Sequence, residues 1–243
     1  VDVLVFPECT INGYVYNSFD EAYAEADPVP GDLTDSMVSL CKEHQITAVF
    51  GLLEKENGLL YNTAVLITPE GMAGKYRKTH LLCLGVDRFT SPGDDVPIFN
   101  LPQARAAMLI CYDLRSPEPA RTAALKEAQI ILSPTNLPEG ANAYADFINK
   151  TRACENRVFV VSANRVGVEQ GVQFIGKSQI VSIGGQILVE ASRDKEELIY
   201  ADIIPNQADI KHIVCIPGEY EFDVFGDRQP ALYKVLVKKN IRS

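Results

Sequence analysis

Hydrophobic and polar positions along the chain alternate between stretches typical of strands and stretches typical of helices. Apolar runs of strand length, each bounded by Gly, Pro, Asn or charged residues, lie at 106–111, 129–133, 158–163, 176–183 and 197–204. Between them, apolar residues recur at helical spacing over 117–128 and 143–156. Strands and helices that alternate in this way predict a layered α/β fold.

The first seventy residues add a helix and a hairpin. Helical spacing predicts a helix over 32–44, and two stretches rich in β-branched residues, 46–53 and 62–68, predict an antiparallel hairpin around the polar turn 54–58. The apolar run 3–6 is typical of a buried strand with neighbours on both sides. Since this run begins almost at the first residue, we expect a further segment of the protein to precede it.

Composition limits the class of partner. Among 243 residues, 32 acidic side chains outnumber 23 basic ones, which gives a net charge of −9 without any dense basic run. We therefore expect no nucleic-acid partner. No stretch has the ~20 continuous apolar residues of a membrane helix, and no basic segment followed by an apolar one marks the start. These features predict a cytoplasmic protein without a membrane partner.

The cysteines do not form a disulfide or metal framework. All six are scattered without a C-x-x-C pair or a histidine at zinc-finger spacing, at positions 9, 41, 83, 111, 154 and 215. A chain of this size buries a core without covalent links, so we expect free thiols and no metal or other cofactor. Because no repeat or linker divides the sequence, we predict a single domain over 1–243.

Cys111 is the first candidate for chemistry. It closes the strand predicted at 106–111, and Ser116 and Pro117 behind it are typical of the N-cap and first residue of a helix. A turn from strand to helix presents a side chain at the sheet edge, where open α/β sheets bind ligands. The competing interpretation is that of an inert core cysteine, which is the usual fate of a buried thiol.

Two charged residues, Glu8 and Lys78, also allow both a catalytic and a structural interpretation. Glu8 follows an apolar strand, where a carboxylate is costly unless it is paired or used, although a glutamate there can also serve as a cap. Lys78 lies in the basic segment 74–80, which is either a solvated turn or the source of one cation that stabilises an oxyanion.

Longer motifs surround these three residues. They occur in the order Phe6-Pro7-Glu8, Lys75-Tyr76-Arg77-Lys78-Thr79-His80-Leu81 and Cys111-Tyr112-Asp113-Leu114-Arg115-Ser116-Pro117-Glu118. In this order they resemble the nitrilase, or carbon–nitrogen hydrolase, superfamily and its amidase-like branch. The similarity continues through 134–136, 152–157, 174–178 and 227–230, and so covers nearly the whole chain.

The resemblance implies a four-layer α-β-β-α sandwich, usually with one more strand and helix before the Phe-Pro-Glu segment. It further implies a homodimer or higher homo-oligomer in which a C-terminal arm, here 205–243, crosses the interface. By the same resemblance Glu8 is the general base, Cys111 the nucleophile, and Lys78 the stabiliser of the oxyanion together with the backbone N–H of Tyr112.

The chain departs from the family pattern at a second acid. Many relatives carry a glutamate six residues before a Pro-Gly pair, and that position is Val86 here. Three alternatives remain open at this stage: Asp87 takes over the role, Glu139 approaches from another loop, or no second acid exists.

The motif Cys-Tyr-Asp resembles that of amidases and carbamoyl-amide hydrolases, whereas nitrilases usually carry Cys-Trp-Glu, and the chain has no tryptophan. The expected substrate is therefore a small-molecule amide, with a nitrile or N-carbamoyl compound as the alternative. Candidate pocket residues are Tyr14, Asn136 and Phe147, each of which can equally be structural. Two other hypotheses remain: a Cys–His thiol hydrolase with His80 as base, and a binding or scaffold protein that has lost turnover.

Overall fold

A computed structural model describes residues 2–238 of the chain. These residues form two compact units, one that extends to Asp209 and one that begins at Ile210. No helix within 2–238 is long and apolar enough to cross a membrane.

The first unit contains a four-stranded sheet covered by two helices. Its strands follow each other in space in the order β1 (Val3–Val5), β2 (Thr47–Glu56), β3 (Leu59–Thr68) and β4 (Gly71–Arg77). Strand β1 is parallel to β2, and the other pairs are antiparallel. Helices α1 (Phe19–Glu25) and α2 (Asp32–His44) pack on this sheet. The core between α2 and the sheet consists of Val29, Cys41, Ala48, Phe50, Leu52, Val65 and Ile67.

A second sheet faces the first. It contains six strands, which are β5 (Ile98–Asn100), β6 (Arg105–Met108), β7 (Ile130–Pro134), β8 (Phe159–Ala163), β11 (Gln179–Val181) and β12 (Ile187–Glu190). The spatial order is β12-β11-β8-β7-β6-β5, and β6, β7 and β8 are parallel. A separate hairpin joins β9 (Val166–Glu169) to β10 (Val172–Ile175). Helices α3 (Pro117–Leu125) and α4 (Asn149–Asn156) cover this second sheet.

The layers confirm the predicted fold class. Strands β1 and β2 contact β7 and β8, so the two sheets pack face to face with helices on both outer sides. This is the four-layer α-β-β-α arrangement, and it buries the apolar run of β7 completely. The second unit contains a hairpin of β13 (His212–Ile216) and β14 (Tyr220–Asp223) and a 3-10 helix over Pro230–Val237. That an arm over 205–243 crosses a subunit interface stays a prediction, and its last five residues lie outside the described chain.

Most predicted elements form where the pattern places them, and the deviations have physical reasons. The helix over 32–44 has the predicted bounds. The hairpin strands run further than predicted, because Asn57 and Gly58 both have positive φ and close a tight two-residue turn. The strand predicted at 197–204 is wrong. Its residues Leu198–Asp202 instead line a cavity of about 600 Å³ together with Val3–Val5, and they pair with no neighbouring strand in the described chain. An apolar run without a hydrogen-bonded neighbour does not form a sheet strand.

A buried acid fixes the end of β4. The side chain of Glu54 on β2 is fully buried and accepts hydrogen bonds from Thr63 Oγ1 at 2.7 Å, from Arg77 Nε at 2.9 Å and from Lys75. Burial raises the pKa of Glu54, but hydrogen bonds from Arg77, Lys75 and Thr63 outweigh it, so the pKa lies below its ordinary value. Since Arg77 is the last residue of β4, this cluster holds the strand end from which Lys78 follows.

We expect Glu54→Gln to lower the free energy of unfolding by about 2–4 kcal/mol at neutral pH, because two cations lose an ionised buried partner. A carboxylate with a lowered pKa makes its full contribution to the free energy of unfolding above about pH 4.3, and this contribution is lost as the pH falls through the folded-state pKa. Urea unfolding of the wild type and the variant at pH 7 and at about pH 3 measures the difference in free energy. The matched control is Glu56→Gln, because Glu56 contacts the same cations from a side chain that is 45% exposed. An equal loss at both pH values would contradict the prediction.

Candidate active site

Glu8 is anchored by both sheets. Its segment follows β1 and packs so closely on β2 that a Cβ at Gly51 would lie 2.7 Å from Glu8 Cα. From the side of the second sheet, Glu8 N donates to Thr135 O at 3.4 Å and Asn136 Nδ2 donates to Glu8 O at 2.7 Å. Thr135 and Asn136 directly follow β7. The carboxylate is therefore held at the seam between the two sheets.

Lys78 meets that carboxylate from the end of β4. Its ammonium Nζ lies 2.7 Å from Glu8 Oε1 and 2.6 Å from Asp87 Oδ2, and none of the three side chains is exposed. Two backbone hydrogen bonds fix the lysine, since Lys78 N donates to Asn62 O at 2.8 Å and Gly93 N donates to Lys78 O at 2.9 Å. A cation and two acids far apart in the chain thus form one buried cluster.

The second acid in contact with Lys78 is Asp87. It lies in the 3-10 turn Gly85–Arg88, one residue after the position that the family pattern indicates. The turn places its carboxylate against Lys78 in spite of this shift. Glu139, the alternative candidate, is exposed.

Asn62 is a site residue that the sequence reasoning missed. Its amide Nδ2 donates to Glu8 Oε1 at 2.6 Å and to Asp87 Oδ1 at 2.9 Å, so its two N–H groups connect both acids. The side chain is fully buried in the middle of β3. The sequence did contain an indication of this role, because Asn62 lies in a mostly apolar strand and a buried amide needs hydrogen-bond partners.

Cys111 stands at a sharp turn after β6. It is the first residue of a 3-10 helix over Cys111–Arg115, its φ is +47°, and it is 4% exposed. A non-glycine residue in this left-handed region costs about 1–3 kcal/mol and occurs preferentially at functional sites. The predicted strand ended at Cys111, whereas β6 ends at Met108, because the chain turns before the thiol.

Charges of the cluster act on the thiol. Burial raises the pKa of Cys111 well above its ordinary value, and Glu8 raises it further, while Lys78 and a backbone hydrogen bond from Asn136 lower it. Burial also raises the pKa of Glu8, which Lys78 partly offsets. Burial lowers the pKa of Lys78, but Glu8, Cys111 and Asp87 together raise it well above the ordinary value. The thiol is thus within electrostatic reach of the Lys78 ammonium and of a carboxylate with increased proton affinity.

The other candidate residues differ in their burial and in their interactions with this cluster. Tyr14 is buried, its hydroxyl donates to Leu84 O at 3.4 Å, and its charge interactions include Lys78, Glu8 and Cys111. Tyr112 lies in the first turn of its 3-10 helix, where backbone N–H groups have no partner inside the helix. Phe147 is 67% exposed with Lys150 over its ring at 5.8 Å. Tyr144, three residues before it, also has charge interactions that include Cys111.

Two oxygens of the site remain available. Within residues 2–238, Glu8 Oε2 and Asn136 Oδ1 are buried and have no hydrogen-bond partner. A carboxylate oxygen with raised proton affinity is a suitable proton acceptor for a neighbouring thiol.

No group of three or more His, Cys, Asp or Glu residues in the described part of the chain is arranged to hold a metal ion. The cluster combines a thiol, a carboxylate and an ammonium, and acyl transfer uses groups of these three kinds.

Known proteins resemble this chain in sequence and fold. The family model described as carbon-nitrogen hydrolase matches residues 1–209. A nitrilase of Pyrococcus abyssi is 36% identical over 233 residues, which are 95% of this chain and 86% of the relative. An (R)-stereoselective amidase of a Pseudomonas species is 34% identical over 195 residues, 80% of this chain and 70% of the amidase. A crystal structure of a carbon-nitrogen hydrolase from Helicobacter pylori G27 matches with a TM-score of 0.86 and 25% identity, over 99% of this chain and 87% of the other.

The family match extends over the whole first unit, which contains both sheets and the buried cluster. The relatives cover most of the chain at more than 30% identity. The chain therefore belongs to the carbon–nitrogen hydrolase family and is a hydrolase that acts on C–N bonds other than peptide bonds.

Proposed function

We propose that this chain hydrolyses a small-molecule amide to a carboxylic acid and ammonia through a thioester on Cys111. The observation that carries the proposal is the fully buried contact of Lys78 with both Glu8 and Asp87, in electrostatic reach of the Cys111 thiol. An ammonium in that position is available to stabilise negative charge where water does not compete.

The first half of the reaction forms the thioester. Glu8 Oε2 accepts the thiol proton as Cys111 Sγ attacks the amide carbonyl carbon, and the carbonyl oxygen becomes an oxyanion. Lys78 Nζ and the backbone N–H of Tyr112 stabilise this oxyanion. When the tetrahedral intermediate collapses, the C–N bond breaks, Glu8 returns its proton to the departing nitrogen, and ammonia leaves.

The second half releases the acid. Glu8 accepts a proton from water, and the hydroxyl oxygen attacks the thioester carbon, again with the oxyanion beside Lys78. The C–S bond then breaks and the thiolate recovers its proton from Glu8. Because Lys78 and Asn62 both donate to Oε1 of Glu8, Oε2 is the oxygen free for both proton transfers. Asp87 balances the charge of Lys78 and keeps it protonated.

The site favours Glu8 over His80 as the base. The His80 side chain is 39% exposed and its Nδ1 lies 3.1 Å from Asp113 Oδ1, whereas the charges that act on Cys111 are those of Glu8, Lys78 and Asp87. The intact cluster also speaks against a silent scaffold, because burying three charged side chains without a use is costly. A nitrile is the second candidate substrate class, since a relative at 36% identity is named nitrilase. An N-carbamoyl compound would use the same steps.

We further propose that the chain forms a homodimer through its C-terminal arm and works in the cytoplasm, where Cys111 stays reduced. The second unit exposes apolar side chains on both its hairpin and its 3-10 helix, which are Val214, Ile216, Tyr220, Phe222, Leu232, Val235, Leu236 and Val237. Exposed apolar side chains in this number are typical of a surface that a protein partner covers.

Light scattering of the purified chain is expected to give twice the chain mass, and Leu232→Asp with Val235→Asp is expected to increase the monomer fraction. Each substitution places a charge on apolar surface that a partner would bury. A wild-type protein that is monomeric at about micromolar concentration would contradict the dimer.

Ammonia release from short aliphatic amides, ω-amides, N-carbamoyl compounds and nitriles is expected to be fastest with an amide. Cys111→Ser should lower kcat by about 10⁴-fold or more, because the hydroxyl is a much weaker nucleophile beside the same base. Cys154→Ser, a change of an exposed cysteine, is the matched control and should retain activity. Faster turnover of nitriles than of every amide would replace the proposed substrate class.

Glu8→Gln is expected to lower kcat by about 10²–10⁴-fold, because the amide cannot accept the thiol proton. In the wild type, activity should fall as the pH is lowered through the raised pKa of Glu8, so the acidic limb of kcat/KM lies above the ordinary carboxyl pKa of about 4.3. His80→Ala should cost less than about tenfold, since the ring is not the base. Loss of nearly all activity in His80→Ala, with activity retained in Glu8→Gln, would favour the Cys–His mechanism.

A further inference from the structure

Asp113 connects the two segments that carry Lys78 and Cys111. Its carboxylate is fully buried two residues after Cys111. Oxygen Oδ2 accepts from Ile110 N at 2.9 Å and from the Tyr76 hydroxyl at 2.7 Å. Ile110 is the residue directly before the nucleophile, so this oxygen holds the turn at the thiol.

The other oxygen holds the lysine segment. Asp113 Oδ1 accepts from His80 N at 2.8 Å, from Thr79 Oγ1 at 3.0 Å and from Thr79 N at 3.3 Å, and it lies 3.1 Å from His80 Nδ1. Thr79 directly follows Lys78. A single carboxylate therefore bonds both to the residue that follows Lys78 and to the residue that precedes Cys111.

The turn that contains Cys111 needs such a constraint. Cys111 has a φ of +47°, which costs about 1–3 kcal/mol and persists only where the surroundings impose it. Asp113 closes the turn in both directions, because its own N–H donates to Ile110 O at 2.9 Å while its carboxylate accepts from Ile110 N. If either link is lost, the strained turn can relax and move the thiol relative to Lys78.

We propose that Asp113 is a positioning residue that fixes the distance between the Cys111 thiol and the Lys78 ammonium, and so sets the rate of thioester formation. The proposal rests on the catalytic roles proposed above for Cys111 and Lys78. Asp113 acts through Ile110 and Thr79 and takes no part in bond making. An ionised carboxylate suits this role because two acceptor oxygens serve backbone donors on both segments at once.

Asp113→Asn is expected to lower the single-turnover rate of Cys111 acylation and kcat by about 10²-fold, with KM changed less than about threefold. The amide has one acceptor oxygen, and its NH₂ group faces N–H donors, so one of the two segments loses its link. Rates are measured per folded molecule, with the folded fraction taken from circular dichroism at the assay temperature. Asp95→Asn, which neutralises an exposed carboxylate paired with Lys126, is the matched control and should acylate at the wild-type rate.

A second variant keeps the test valid if Asp113→Asn does not fold. Thr79→Val combined with His80→Ala removes two side-chain donors to Oδ1 and leaves the carboxylate in place. It should lower the acylation rate by about tenfold with little change in KM. If a folded variant melts at lower temperature but acylates at the wild-type rate, Asp113 is merely structural and the positioning role is overturned. A wild type that never acylates on Cys111 overturns the proposed function instead.

Discussion

The burial of the Lys78 ammonium between two carboxylates is the constraint on which the rest of the site depends. An isolated charge in a low-dielectric interior is very costly, so a lysine without solvent exposure is stable only beside ionised partners. Glu8 and Asp87 supply them, and Asn62 fixes both acids. These residues come from separate strands and turns of one sheet. The cluster therefore exists only when the whole first sheet is formed, which couples its charge arrangement to folding.

The second sheet completes the centre by supplying the thiol. Cys111 follows β6, and the segment after the neighbouring strand β7 bonds to both the backbone N–H and the backbone C=O of Glu8. Face-to-face packing of the sheets thus brings Cys111 within electrostatic reach of Glu8, and the Asp113 side chain bonds to both the turn at Cys111 and the segment after Lys78. In the proposed reaction, the low dielectric that makes the cluster costly also strengthens its action on a developing oxyanion. The stability of the site and its proposed chemistry therefore both depend on the buried cluster of Lys78, Glu8 and Asp87.

The sequence predicted the fold and named candidate site residues, but it did not predict the hydrogen bonds that join these residues. The helix over 32–44 and the parallel strands have strong local patterns, and the motifs around Glu8, Lys78 and Cys111 mark chain segments. Asn62 was missed, since nothing local indicates that an amide in β3 bonds two acids from elsewhere. Five of the six contacts of the Asp113 carboxylate likewise join it to residues 33 to 37 positions away in the chain. The strand expected at 197–204 does not form, because a strand depends on a neighbour that periodicity does not reveal.

In the proposed reaction a single thiol, that of Cys111, carries the acyl group within electrostatic reach of the buried Glu8 and Lys78. Rapid acid quenching of the wild-type protein with excess short-chain amide, followed by intact-mass measurement and peptide mapping, tests it most directly. We expect a mass increase equal to the amide minus ammonia, confined to the peptide that contains Cys111. Ammonia release without this adduct, or an adduct on another residue, would contradict it.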